Sequence, residues 1–305
     1  MINYVINSKD NATFTLSCCS TVDLSPEKLA ELGVSYACFH YFLDGKEYSD
    51  DLGASMSSDD FYKAMADGAD TKTSQINSAE FTEYFEALLS KGKDVLHVGL
   101  SSGLSGTYRS ACIAAEELRE KYPDRKLIVV DSLGASAGFG LLMATAADLR
   151  DEGRSAEDVA KWLEENKLNV HHWFFSTDLT FYVKGGRISK AAGWFGTALR
   201  ICPLLNMNHE GKLIPREKIR TKQRVIKAIV DKMVAFADGG SGYSGKCFIS
   251  HSACLEDATA VKKLIEEGIP ALAGKVEIYN IGTVIGSHTG PGTVALFFMG
   301  EKRVD

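Results

Sequence analysis

Two short runs, DVLHVGL at 94–100 and KLIVVD at 126–131, are apolar at nearly consecutive positions. Strands of that kind are buried on both faces, which in a water-soluble chain means a parallel sheet covered by helices on either side. Each run is followed by a helix-forming stretch, and the same alternation extends back through FTLSCC (14–19) and SYACFHYFL (35–43). Between those two lies SPEKLAELG, where Ser25 and Pro26 suit a helix cap and a first helical turn. DDFYKAMADG after Ser57 and Ser58, and FTEYFEALLSKG after the capping-box-like N77-S-A-E80, add two more helices. Strands alternating with helices over residues 1–150 predict βαβ units and a parallel sheet.

The second half changes character. HHWFFST (171–177) reads as a strand, KGGRISKAAGWF (184–195) breaks the regularity, and PLLNMNHEGKLIPREKI reads as a hairpin around N208-H-E-G211. A helix over about 222–237, a small-residue connection at 239–245, a further β-α-β and a closing strand VALFFM complete the chain. The expected fold is therefore α/β with two domains: 1–167 with a parallel sheet and 168–305 with a mixed sheet. A chain of 305 residues is long enough for both, since single cores stop growing near ~250–300 residues.

Charge and cysteine usage narrow the function classes. A net charge of −6 does not favour nucleic acid or an anionic surface. No apolar run reaches the ~18–20 residues of a membrane span, and MINYVINSKDNATF has no signal-peptide pattern. Seven scattered cysteines without a CxxC point to a reducing cytoplasm. His171-His172 and His251-x-x-Cys254 have no second ligand pair at zinc-like spacing, so neither a metal nor another cofactor is expected.

Four segments carry candidate chemistry. In G99-L-S-S-G-L-S-G-T107, glycines allow N–H groups to turn inward, hydroxyls add donors, and the next helix offers its positive end, so the loop suits an anion. The same residues include G-x-S-x-G, with Ser101 preceding His288 in hydrolase order, which makes a serine hydrolase acting on acyl esters the alternative. A loop of small residues with no ligand is the third reading. T71-K-T-S-Q-I-N77 reads as loop and helix cap, and gains a role if Thr73 and Ser74 meet the first loop. K184-G-G-R-I-S-K190 is a tight turn that either offers Arg187 to an anionic group or leaves it in solvent. IGTVIGSHTGPGT (281–293) reads as a loop crossing into the last strand, with His288 either exposed or turned to an anion.

TSQ (73–75), SSGLSGTY (101–108), D131-S132 with A135-S136-x-G138, GGRIS (185–189) and GSHTGPGTVALFF (286–298) occur in this order. Together they resemble the DegV family, the fatty-acid-binding subunits of the bacterial fatty acid kinase system, from about residue 13 to 300. The resemblance implies a long-chain fatty acid held between two domains. Its carboxylate would sit on Thr73, Ser102 and His288, with Ser74, Ser101, Gly103 and Thr107 supporting the loop. Arg187 would be structural or would dock a partner. A separate ATP-dependent kinase subunit would phosphorylate the carboxylate for phospholipid synthesis, the carrier itself being no enzyme and exchanging its ligand transiently with membranes. The chain departs from the family pattern at Cys19, where an acid is usual, and at Ile76-Asn77 in place of Pro-Ser; it also carries extra residues before the first strand.

Overall fold

Ser25 starts the first helix by accepting the Lys28 N–H, with Pro26 at its first position, and Gly33 at φ 61° ends it. This helix, α1 (Pro26–Leu32), follows β1 (Tyr4–Val5) and β2 (Phe14–Cys19) and leads to β3 (Val34–Ala37), which lies parallel to β2. The computed structural model describes residues 3–9, 11–189 and 201–304; the 190–195 end of the KGGRISKAAGWF stretch lies outside them.

The single strand expected over 35–43 is two. β3 stops at Ala37, and β4 (His40–Leu43) belongs to another sheet. The break has a local cause: the Cys38 N–H donates to Asn3 O and the Phe39 N–H to Ser20 Oγ, so neither continues the ladder. β4 turns through Asp44 and Gly45, both at positive φ, into antiparallel β5 (Lys46–Ser49). After α2 (Ser58–Ala66) comes β6 (Thr71–Ser74), which pairs with β4 on its other side. TKTSQ is therefore mostly strand, not loop, and it completes a small antiparallel sheet, β5-β4-β6, beside the parallel one.

The rest of the first half follows expectation. Asn77 and Glu80 form a capping box at α3 (Ser78–Leu89). Then come β7 (Asp94–Gly99), α4 (Thr107–Lys121), β8 (Leu127–Asp131), α5 (Ser136–Asp151) and α6 (Ala156–Asn166). The five-stranded sheet runs β1-β3-β2-β7-β8, parallel except for β1. The carboxyl ends of β2, β3, β7 and β8 thus share one edge, where ligands of open α/β sheets usually bind.

The second half contributes β9 (Val170–Ser176), α7 (Thr180–Lys184), β10 (Ile201–Met207), β11 (Leu213–Arg220), α8 (Lys222–Phe236), β12 (Cys247–His251), α9 (Leu255–Gly268), β13 (Glu277–Asn280), α10 (Thr283–Thr289) and β14 (Thr293–Met299). They build a mixed sheet, β11-β10-β9-β14-β12-β13, with only β12 and β13 parallel. Alternation sorts its side chains: Val294, Leu296 and Phe298 pack with α8 and α9, while Ala295 and Phe297 face α5. One apolar cluster joins Leu16 and Val98 of the first sheet through Phe139 and Leu142 of α5 to Phe174 and Phe297 of the second. The two halves share that core.

Candidate functional site

Between the carboxyl edge of the parallel sheet and the α5-facing side of the mixed sheet lies a cavity of about 350 Å³. Phe39, Leu100 and Ala135, the residues that leave β3, β7 and β8, form its roof. Its floor follows β14, where Thr293, Ala295 and Phe297 point the same way, paired with Ser176, Phe174 and His172 of β9. At about 3.3 Å per residue that floor is about 13 Å long. Met207 and Leu213, opposite each other in the hairpin, extend it sideways. Gly138 lets α5 approach this floor: a Cβ there would stand 2.5 Å from Phe297 and collide with His172. Burial pushes the His172 imidazole far below its usual range; neutral, it accepts the Ala135 N–H and donates to Val170 O, leaving that end of the cavity uncharged.

The other end is polar. Thr73 from β6, Ser105 and Gly106 from the loop before α4, Arg187 from the GGRIS turn and His288 from the last turn of α10 all border it. Arg187 Nη1 donates to Gly185 O at 2.6 Å and to His288 Nδ1 at 3.3 Å, and Nη2 donates to Leu104 O at 3.2 Å. A guanidinium only donates, so Nδ1 is the accepting nitrogen and the proton of the neutral ring sits on Nε2. Burial first, and the Arg187 charge second, lower the His288 pKa to about 4, so the ring is neutral near pH 7. Nε2–H then donates to Thr73 Oγ1 at 2.8 Å, and the Thr73 hydroxyl proton is left to point at something else. The chain Arg187→His288→Thr73 is a directed relay of donors ending in a free O–H. Gly185 gives the ring room, since a Cβ there would collide with Nδ1.

Ser105 completes the arc. Its hydroxyl lies 3.0 Å from that of Thr107, the first residue of α4, at the positive end of a fifteen-residue helix. Among the described residues no carboxylate pairs with Arg187, and burial depresses its pKa. The arrangement offers two hydroxyls, one of them turned outward by the imidazole behind it, a helix N-terminus and one guanidinium around a space continuous with an apolar cavity. Chemically, such a set can hold a single anionic group that carries an apolar tail.

Of the residues expected from sequence, Thr73, Ser74 and His288 border this space, and Arg187 joins them instead of facing solvent. His288 sits on a helix, not on the loop expected at 281–292. Ser102 does not border it: the residue is exposed, and its N–H donates to Asp131 Oδ1 at 3.2 Å. The loop folds back on itself, with the Leu104 and Ser105 N–H groups donating to Ser101 O, so the later serine is the one that reaches the cavity. Ser101 and Gly103 face the hairpin tip, Ser101 Oγ donating to Gly211 O at 2.9 Å and Gly103 lying too close to Glu210 O for any Cβ. The Ser101–His288 pair required by a hydrolase is not formed; Ser101 is bound to the hairpin and both His288 nitrogens are engaged elsewhere. His171 stacks on Phe298, and no group of three or more metal-ligating side chains occurs among the described residues. Ser105 was missed although it lies within the quoted motif. Its signal was position, immediately before the Gly-Thr that opens α4.

Fold and site together define an α/β protein of two large sheets and one small one, with an internal cavity that is polar at one end and mostly apolar beyond it. A family model described as an uncharacterised protein of the DegV family matches residues 19–301. A DegV domain-containing protein of Clostridium perfringens is 36% identical over 284 residues, 93% of this chain and 96% of its own length. The chain belongs to the DegV family. Among solved structures, a DegV family protein of Thermus thermophilus described by its fatty acid binding superposes with a TM-score of 0.83 at 27% identity, covering 95% of this chain and all of its own. The Fatty Acid Kinase (Fak) B3 protein of Streptococcus pneumoniae, loaded with linoleic acid, superposes with a TM-score of 0.80 over 95% of this chain and all of its own; at 21% identity that likeness speaks to the fold alone.

Proposed function

We propose that this chain is a carrier that binds a long-chain fatty acid between lobes 1–167 and 168–305. Its carboxylate lies on Thr73 and Ser105, with His288 orienting the Thr73 hydroxyl from behind, Arg187 supplying the balancing charge and the acyl chain following β14 toward Phe297. One observation carries the reading: a hydroxyl–imidazole–guanidinium end opens into an otherwise apolar cavity. A buried carboxylate without donors costs several kcal/mol, and this end can meet that cost. The acyl chain contributes about 0.8 kcal/mol per buried CH₂, roughly 10 kcal/mol gross for a long chain, part of it offset by lost motion.

The carrier performs no chemistry alone: the hydroxyl–imidazole contact that borders the cavity has the imidazole donating, which leaves no base there to activate a nucleophile. A separate ATP-dependent kinase subunit phosphorylates the presented carboxylate, and the acyl phosphate enters phospholipid synthesis. The protein works in the cytoplasm, where its seven cysteines stay reduced and where it exchanges ligand transiently with membranes; all seven are free thiols, and no described helix is long and apolar enough to cross a bilayer.

The test is an organic extract of the purified, denatured protein examined by mass spectrometry, alongside thermal melting with added oleate. A stoichiometric long-chain fatty acid, or a clear rise in melting temperature with oleate, is expected. Neither lipid in the extract nor a shift on adding it overturns the reading.

A further inference from the structure

His288 is only as well placed as the short helix that carries it. α10 has seven residues, too few to hold a helical shape or direction without outside contacts. α7 packs against it, and hydrogen bonds from the first half of the chain converge on three consecutive residues at its start. Gly282 N–H donates to Asp23 Oδ1 at 3.0 Å, Thr283 Oγ1 donates to Asp50 Oδ1 at 2.8 Å, and Tyr62 O–H donates to Ile281 O at 2.8 Å. The second oxygen of each carboxylate is fixed in turn, Asp23 Oδ2 by Ser136 at 2.5 Å and Asp50 Oδ2 by Ser20 at 2.8 Å. Both acids are almost wholly buried, at 3% and 2% exposure, with every oxygen engaged, so they form no vacant ligand site. The fit is close: a Cβ on Gly282 would stand 2.7 Å from Asp23 Oδ1. Carboxylates at a helix start also oppose its dipole favourably.

We propose that Asp23 and Asp50 are positioning residues for the fatty-acid site: they fix the start of α10, and thereby hold His288 against Thr73 at the far end. The inference rests on the proposed fatty-acid reading for its ligand, but not for its geometry. From Thr283 to His288 the helix rises about 7.5 Å, so a tilt of about 10° at its start displaces the imidazole by about 1.3 Å. That exceeds the slack in the 2.8 Å hydrogen bond to Thr73.

A double-mutant cycle separates positioning from general support. Thr283→Val, which keeps the side-chain shape, and Asp50→Asn are each expected to weaken oleate binding about tenfold in the wild-type background, in the range of coupled neighbours. In a His288→Ala background neither should weaken it further, because the residue they act through is gone. Equal losses in both backgrounds, or no loss in either, overturn the proposal. If Asp50→Asn fails to fold, Thr283→Val alone decides. A second readout needs no lipid: ring-nitrogen NMR of the free protein should show the Nε2–H tautomer of His288 in the wild type and tautomer averaging in Thr283→Val. An unchanged ring signal in that variant overturns the proposal. A wild type that binds no oleate while the ring signal shifts would remove the fatty-acid reading and leave the positioning intact.

Discussion

At residue scale the site depends on which atom carries a proton. Arg187 determines that His288 donates through Nε2, so the Thr73 hydroxyl proton is left free at the edge of the cavity. Thr73→Val and Ser105→Ala should each weaken fatty acid binding by about 1 kcal/mol, roughly fivefold, the usual net worth of one hydrogen bond. Ser102→Ala should leave it unchanged, as titration calorimetry would show. Arg187→Lys should bind more weakly than wild type, because a point charge cannot serve Gly185 O, Leu104 O and His288 Nδ1 at once. TSQ, SSGLSG and GSHTGPG mark segments that border the cavity. Which of three serines borders the cavity depends on how residues 101–106 curl over Ser101, and no residue type encodes that.

At the scale of elements, most of the alternating strands and helices could be read from apolar period and capping. Asn77 with Glu80 and Ser25 with Pro26 cap helices as their types require. The small sheet β5-β4-β6 was harder to read. Its Asp44-Gly45 turn is a strong hairpin signal, but SYACFHYFL is apolar throughout and hides the change of sheet after Ala37, while TKTS is too polar to resemble a strand. That polarity follows from its place, with Thr73 and Ser74 half-buried beside the cavity. Gly138 offers a test of how α5 meets the mixed sheet. Alanine there would gain up to about 1 kcal/mol in helix propensity. Its methyl would collide with His172 and press on Phe297, an overpacking that costs about 1–3 kcal/mol. Overpacking should win, so Gly138→Ala is expected to lower the melting temperature and weaken oleate binding.

On the scale of the whole molecule, buried histidines govern the response to acid. Burial lowers His97 to about 3 and His171 and His288 to about 4, and shifts His172 and His251 downward as well. Unfolded histidines take up protons below about pH 6.5, whereas these folded ones resist until about pH 4, so stability falls as pH drops through that window. Asp23 and Asp50 have the opposite sign: burial raises their pKa values, the folded state protonates first, and acid relieves a penalty. Five imidazoles outweigh two carboxyls, so the melting temperature should fall between pH 7 and pH 5; a flat profile would contradict the burial of these rings. Neither that balance nor the core shared by the two lobes could be read from the sequence, because both depend on contacts between distant segments. Arg303 makes one such contact, its guanidinium donating to Met207 O and Asn208 O on one side and to Leu133 O and Lys167 O on the other. With Arg303 at one place, Asp23, Asp50 and Tyr62 at another and the α5 core between them, the lobes cannot open like a clam shell without breaking buried bonds at several points. Any guest of the cavity would therefore have to enter with both halves still joined, as a letter enters a sealed box.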